Sequence, residues 1–292
     1  MPSASVGTLV RQRLAEQRDA LRDAEAAARA GDESGVHDLR VAMRRLRALL
    51  ATYRPAFDPS VTEPVRTELE QASRELGQSR DAAVAVETVE ALLQEAQLDG
   101  LDAEAVAGLR ARLRLDASGT TDDVAETLGS TRWAAVVILV DELVSHPPLT
   151  DEAQRGARST ARERVRHEGR RFAERVDAAR AAGPHELAQR LHEVRGAVKR
   201  LRYAAETAEP VAGKQVRAIR KQAKAVQARI GRHHDAVMTR ATLRHLALDE
   251  AVGEGAAFLL GHLDADEQRA LATLEEQSWN EVDALQRLLR EL

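Results

Sequence analysis

The stretch His37-Asp-Leu-Arg40-Val-Ala-Met-Arg44-Arg45-Leu46-Arg47 decides the reading of this chain, because it occurs twice. The second copy is His192-Glu-Val-Arg195-Gly-Ala-Val-Lys199-Arg200-Leu201-Arg202, at a constant offset of 155 residues. Pro55 and Pro210 keep the same offset and are expected to close the two copies. A second matched pair follows, Leu76-Gly77-x-x-Arg80-Asp81 and Ile230-Gly231-x-x-His234-Asp235, at an offset of 154. A chain that repeats itself at this period reads as a tandem duplication of one helical unit.

Placed on a helix at about 100° per residue, His37, Arg40, Arg44 and Arg47 fall within an arc of about 80°. Val36, Leu39, Met43, Leu46 and Leu50 take the other side, which makes the helix amphipathic with a basic polar face. Arg45 projects toward the flank of that ridge. The second copy aligns His192, Arg195, Lys199 and Arg202 against Val194, Val198 and Leu201, with Arg200 in the place of Arg45. A third ridge belongs to the second half only: Lys214, Arg217, Arg220, Lys221 and Lys224. The equivalent first-half positions are Ser60, Glu63, Arg66, Thr67 and Glu70. The duplication has therefore diverged in charge, and the second half is expected to bind anions more strongly.

Like charges three or four positions apart weaken a helix by roughly 0.2–0.5 kcal/mol per pair. Such ridges need neutralising acids or an external anion. A solvated, salt-bridged face is the ordinary fate of a charge run, but it does not require His, Arg and Lys in a fixed order. Guanidinium forks match phosphate oxygens in a bidentate way, Lys adds a point charge, and His gains a proton near dense negative charge.

The rest of the chain bounds the answer. Of its 292 residues 31% are charged and only 2% aromatic, the formal net charge is −4, and Cys is absent. Disulfides, thiol nucleophiles and Cys-based metal sites are excluded. Residues 210–234 hold seven Lys or Arg and no acid, whereas 81–130 and 248–292 each hold eleven acids and three Arg. The acidic stretches are expected to lie away from the basic surface. The N-terminus turns charged too early for a secretory leader, and Trp133–Val140 is too short to span a bilayer, so the expectation is a cytoplasmic protein.

The helical period runs almost throughout. The spacing predicts helices at about 7–30, 33–54, 61–97, 102–117, 122–145, 151–182, 185–208, 211–250 and 254–290, with breaks expected near Gly77 and Gly231. Ser60-x-x-Glu63 reads as a capping box, and Pro184 suits a first helical position. His146-Pro147-Pro148 separates the repeats. The expected architecture is all-α: two antiparallel bundles of about four helices each, related by a pseudo-two-fold axis. Residues 5–292 form one module, composed of repeats 5–147 and 150–292.

At these residues the chain resembles the CHAD family, the conserved histidine α-helical domain. The first stretch is similar to that family's H-x-x-R-V-x-x-R-R-L-R motif. His192 to Glu206 resembles its second motif, H-x-x-R-x-x-x-K-R-L-R-Y-x-x-E, and the two Leu/Ile-Gly elements resemble its L-G-x-x-R-D. The likeness extends over about residues 5–292, with no companion triphosphate-tunnel domain, which some relatives carry. It implies two helical bundles around a basic groove or pore that binds inorganic polyphosphate, and association with polyphosphate granules. By position, binding falls to His37, Arg40, Arg44, Arg47, His192, Arg195, Lys199 and Arg202. The local pattern adds Arg45, Arg200, Arg217, Arg220, Lys221 and Lys224. The chain departs from the family pattern at Gly196, where an apolar residue is common, and at His234, where Arg is common.

The function expected is non-catalytic binding of a polyanion, inorganic polyphosphate first, with no cofactor, metal or membrane partner. Nucleic acid or a generic polyanion is the alternative. Single-strand binders add stacking aromatics, and here only Tyr53 and Tyr203 run with the cations. His233-His234-Asp235 and His245 do not carry metal spacing, and no Walker, H-E-x-x-H or nucleophile-elbow pattern is present.

Overall fold

Tight turns punctuate a chain that is otherwise helix after helix. The computed structural model describes residues 4–95, 106–111, 121–249 and 252–292, with the side chains of 33, 78–86, 95, 121–123 and 184 outside the described set. Its helices are α1 (Val6–Arg29), α2 (Glu33–Thr52), α3 (Pro59–Glu95), α4 (Thr121–Gly129), α5 (Thr131–Ser145), α6 (Ala157–Arg180), α7 (Pro184–Ala212), α8 (Lys214–Ala247) and α9 (Glu254–Arg290). Single 3₁₀ turns lie at Arg54–Ala56 and Asp151–Gln154. The described residues form no strand, and the all-α expectation holds. Most of the helix expected over 102–117 lies outside the described residues; 106–111 is helical.

The ends follow local chemistry. Ser5 caps α1 and Asp32 caps α2, each side chain accepting from a backbone N–H of the first turn. Gly31 and Gly213 adopt φ of 80° and 86°, which lets the chain reverse between α1 and α2 and between α7 and α8 without a Cβ clash. Consecutive helices joined by such short turns pack on each other, α1 on α2, α6 on α7, α7 on α8 and α8 on α9, and so run antiparallel.

Several sequence expectations need correction. Neither Gly77 nor Gly231 breaks its helix: α3 and α8 run straight through. The capping box at Ser60 is not the cap of α3. Asp58 Oδ1 accepts from the Ser60 N–H at 2.8 Å and from Ser60 Oγ at 2.7 Å, while Glu63 is drawn to Arg54 and Arg66. The span 122–145 divides at Gly129, where Ser130 Oγ accepts from the Trp133 N–H and starts a new helix. The span 151–182 begins instead with a 3₁₀ turn, and α6 starts only after Gly156.

Pro210 does not end α7, which continues to Ala212. A proline has no N–H to give the carbonyl four residues back, here that of Glu206. Arg13 Nη2 of α1 donates to that carbonyl at 3.3 Å instead. A side chain from the first half thus completes a helix of the second.

The main core is continuous across both halves. It runs from Val6, Leu9 and Val10 through Leu46, Phe57, Phe172, Val194 and Ile219 to Val282 and Leu285. A satellite cluster joins Val89 and Leu93 of α3 to Leu243 and Leu246 of α8 and Leu259 of α9. Two isolated antiparallel bridges, Ser5 with Gly156 and Phe57 with Leu149, tie the start of the chain and the turn after α2 to the mid-chain region. These contacts bring α2 against α7, so the two copies of the basic pattern meet.

Candidate functional site

Leu39, Met43, Leu46 and Leu50 are fully buried on one side of α2, and Val194, Val198 and Leu201 are buried on one side of α7. Those apolar stripes fix the rotation of both helices, and the basic faces follow from it. Lys199 sits in the joint field of Arg195 and Arg202 on its own helix and Arg44 on α2. Asp235 of α8 is the acid that offsets them. Among the described residues, no ion pair engages Arg44, Arg195 or Lys199. Four cations from two halves therefore converge on one seam, where Asp235 faces Lys199 and Glu206 answers Arg202.

Burial pushes the Lys199 ammonium down to about 8, and the neighbouring Arg195 and Arg44 push it the same way. A half-buried cation among cations is a poor arrangement for an empty site and a good one for an anion. His192 and His234 face each other beside this cluster, with ring centroids 4.8 Å apart. Burial lowers the affinity of His234 for its proton, and Arg195 and His192 lower it further. His233 is buried on the other side of α8, toward Glu275, and burial holds it below the usual histidine range. The adjacent histidines thus face different environments.

Arg44 and Lys199 are half-buried rather than exposed as their place on a polar face suggested. A helix face turned toward a second helix loses solvent even when it is charged.

The glycines of the Leu/Ile-Gly elements gain a reason. A Cβ on Gly77 would lie 2.8 Å from Arg40 Nη2, and one on Gly231 would lie 3.9 Å from Arg195 Nε. In both halves the glycine lies beside the first arginine of the basic pattern, but only Gly77 is needed to leave room for it; a Cβ at Gly231 would make ordinary contact. The side chains of Arg80 and Asp81 lie outside the described residues.

The other expected site residues are distributed around the seam. Arg47 pairs with Glu70 at 2.6 Å on the α3 side. Arg200 turns to the opposite flank, 3.7 Å from the buried Glu168 of α6 and close to Arg171 and Arg175. Arg45 and Arg202 both approach Glu206, at 3.4 and 3.1 Å. Arg217 and Arg220 both approach Glu209, at 2.7 and 2.5 Å. Lys221 and Lys224 are exposed on α8, and His37 and His192 are exposed near the seam ends. The sequence reading missed Glu206 and Glu209 as partners of these arginines, and missed Arg13 altogether. Glu206 closes the second motif and was visible there; Arg13 lies outside the matched motifs and only tertiary packing delivers it.

Of the acidic stretch 248–292, Asp264 holds Arg240 and Arg244, Asp283 holds Arg180, and Glu281 accepts from Gln222. The acids of 96–105 and 112–120 lie outside the described residues. Among the described residues, no group of three or more His, Asp or Glu is placed to hold a metal ion. No described helix is long and apolar enough to cross a membrane.

A family model described as the CHAD domain matches residues 12–244. Two uncharacterized proteins of Mycobacterium tuberculosis, MT2285 and Rv2226, are each 28% identical over 294 residues, which covers 96% of this chain. The chain spans about half the length of these relatives, 53%. Among solved structures, PptA from Streptomyces chartreusis superposes with a TM-score of 0.77 at 24% identity, over 95% of this chain and 100% of that one. The CHAD domain from the plant Ricinus communis superposes with a TM-score of 0.72 at 25% identity, over 99% of this chain and 93% of that one.

Proposed function

The chain belongs to the CHAD domain family, which is associated with polyphosphate binding, and from that premise we propose that it binds inorganic polyphosphate along the seam between α2 and α7 without turning it over. The observation that carries the reading is the convergence of Arg44 with Arg195, Lys199 and Arg202, cations from both copies of the repeated pattern. A polyphosphate chain presents about one negative charge per phosphate, so it neutralises several of these cations at once and releases counterions as it does so. Lys221 and Lys224 extend the basic surface along α8.

The aromatic side chains favour this ligand over nucleic acid. Tyr53 is 1% exposed and Tyr203 is 6% exposed. Neither offers the open ring face on which a base stacks. Catalysis of phosphoryl transfer would need clustered carboxylates holding a divalent cation; at the seam Asp235 faces Lys199 and Glu206 is drawn onto Arg45 and Arg202. The setting proposed is the cytoplasm, at polyphosphate granules.

The test is a salt titration of binding to long-chain polyphosphate, with single-stranded nucleic acid in parallel. Tight binding that falls steeply with salt, and at least tenfold weaker nucleic-acid binding, is the expected result. Arg44→Glu or Lys199→Glu should reduce polyphosphate affinity by about a hundredfold while the helical signal and Tm stay near wild type, since each places repulsion where a charge-assisted contact stood. Wild-type affinity in both variants would overturn the seam as the site.

A further inference from the structure

A cleft of about 320 Å³ opens beside the seam, between the two halves. Its lining includes Arg13 and Gln17 of α1, Arg45 of α2, Glu206 and Glu209 of α7, and Arg220 of α8. Four helices contribute, and no stretch of sequence suggests the grouping.

The polar atoms in this cleft are poorly served. Arg13 Nε and Gln17 Oε1 are buried and, among the described residues, have no hydrogen-bond partner. The Nε–H groups of Arg45 and Arg220 face Glu206 and Glu209 as ion pairs, yet neither makes an aligned hydrogen bond. Buried polar groups are nearly always satisfied by protein, water or ligand. The Gln17 amide becomes a donor when its oxygen and nitrogen exchange places. Charge points the same way: Arg202 and Arg217 lean on the same two carboxylates, and Arg13 also pairs with Glu16. Five guanidinium groups thus share three carboxylates. The glutamates hold the arginines extended toward the cleft, and the excess of positive charge is left for something else.

We propose that this cleft is a second anion subsite, which takes the terminal groups of a short oligophosphate, with Arg13 as its distinguishing residue. Arg13 is fixed in place by its bond to the Glu206 carbonyl that Pro210 leaves free, so its guanidinium is set before the ligand arrives. The carboxylates of Glu206 and Glu209 must share their arginines with the incoming anion. That competition favours a multiply charged phosphate end over a singly charged anion. The proposal takes its ligand class from the polyphosphate reading above.

The experiment measures tripolyphosphate and long-chain polyphosphate binding by calorimetry on the full chain, with thermal melts of every variant. Arg13→Gln is expected to weaken tripolyphosphate at least about tenfold, the loss of one charge-assisted contact, and to change long-chain affinity by less than about threefold, because the seam is intact. Thr207→Glu adds a negative charge to the cleft wall at a helical position that tolerates Glu; it should give the same pattern even if Arg13→Gln loosens the α1–α7 contact. Arg44→Glu should do the reverse. No tripolyphosphate binding by wild type, or wild-type affinity in both cleft variants, would overturn the subsite. Loss of tripolyphosphate in the cleft variants with no long-chain binding by wild type would instead overturn the seam and leave the cleft standing.

Discussion

The basic surface of the first half, α2 with α3, and that of the second, α7 with α8, share one pattern and differ in how their charges are answered. On α3, Glu63 pairs with Arg54 and Arg66, and Glu70 pairs with Arg47 and Arg74. The first half thus neutralises much of its own ridge. On α8 the positions matching Thr67 and Glu70 are Lys221 and Lys224, both exposed. Among the described residues, only Glu209 answers that helix's ridge, through Arg217 and Arg220. The difference teaches that repeated cations do not make equal contributions: what counts is the charge left after neighbouring acids are paired.

Charge reversal gives the largest test of that asymmetry. The double variant Lys221→Glu with Lys224→Glu should weaken long-chain polyphosphate about tenfold or more and reduce the salt slope by about two. Thr67→Glu, at the matching first-half position, should cost less than about threefold. Equal losses in a salt-dependent binding assay would erase the distinction.

Next in size is a pH effect that belongs to the second copy. Lys199 titrates at about 8 when the site is empty, and a bound polyanion favours its charged form. Affinity should be level below pH 8 with respect to this group and fall by up to tenfold per pH unit above it, until the lysine in the complex also loses its proton. The same shift makes the folded state bind fewer protons than the unfolded chain between about 8 and the ordinary lysine value of 10.5, so stability should rise with pH across that window. Lys199→Arg should flatten both curves. His234, held below 6.5 by burial and by Arg195, should add affinity only on the acid side of that value.

A smaller gain should follow from unmasking the first half. Glu70→Gln removes the carboxylate from Arg47 and Arg74 and should raise polyphosphate affinity by about twofold to fivefold in a titration, as expected for freeing a half-exposed pair. No gain would place Arg47 outside the ligand's reach.

The glycines give the finest discrimination. Gly231→Ala meets ordinary contact only and should stabilise α8 by up to about 1 kcal/mol through helix propensity, with binding unchanged. Gly77→Ala drives the Arg40 guanidinium from its seat; its gain in Tm should be smaller and accompanied by altered binding. Identical melting and binding shifts would show that Arg40 is free to move.

How much of this was legible in the sequence depends on the kind of contact. The helices were readable, since the 3.6-residue period of Leu39, Met43, Leu46 and Leu50 is written locally, and the stripes they form set which way Arg44 and Lys199 face. Helix ends were less so. Gly77 and Gly231 looked like breaks because glycine weakens an isolated helix, yet both helices run through them, and at Gly77 the missing Cβ is what the packing of Arg40 requires. Ser60 looked like a cap until Asp58, two residues earlier, took the role.

Sequence alone determined the all-helical class, the duplication of the cationic pattern and its unequal charge, because these depend on spacing along one helix at a time. Tertiary structure decided which cations meet and which are silenced. It placed Arg44 against Lys199, sent Arg200 to Glu168, and brought Arg13 across to the carbonyl that Pro210 leaves unbonded. Such pairings depend on the rotation and separation of helices far apart in the chain, and the core that fixes both is built from the two halves together.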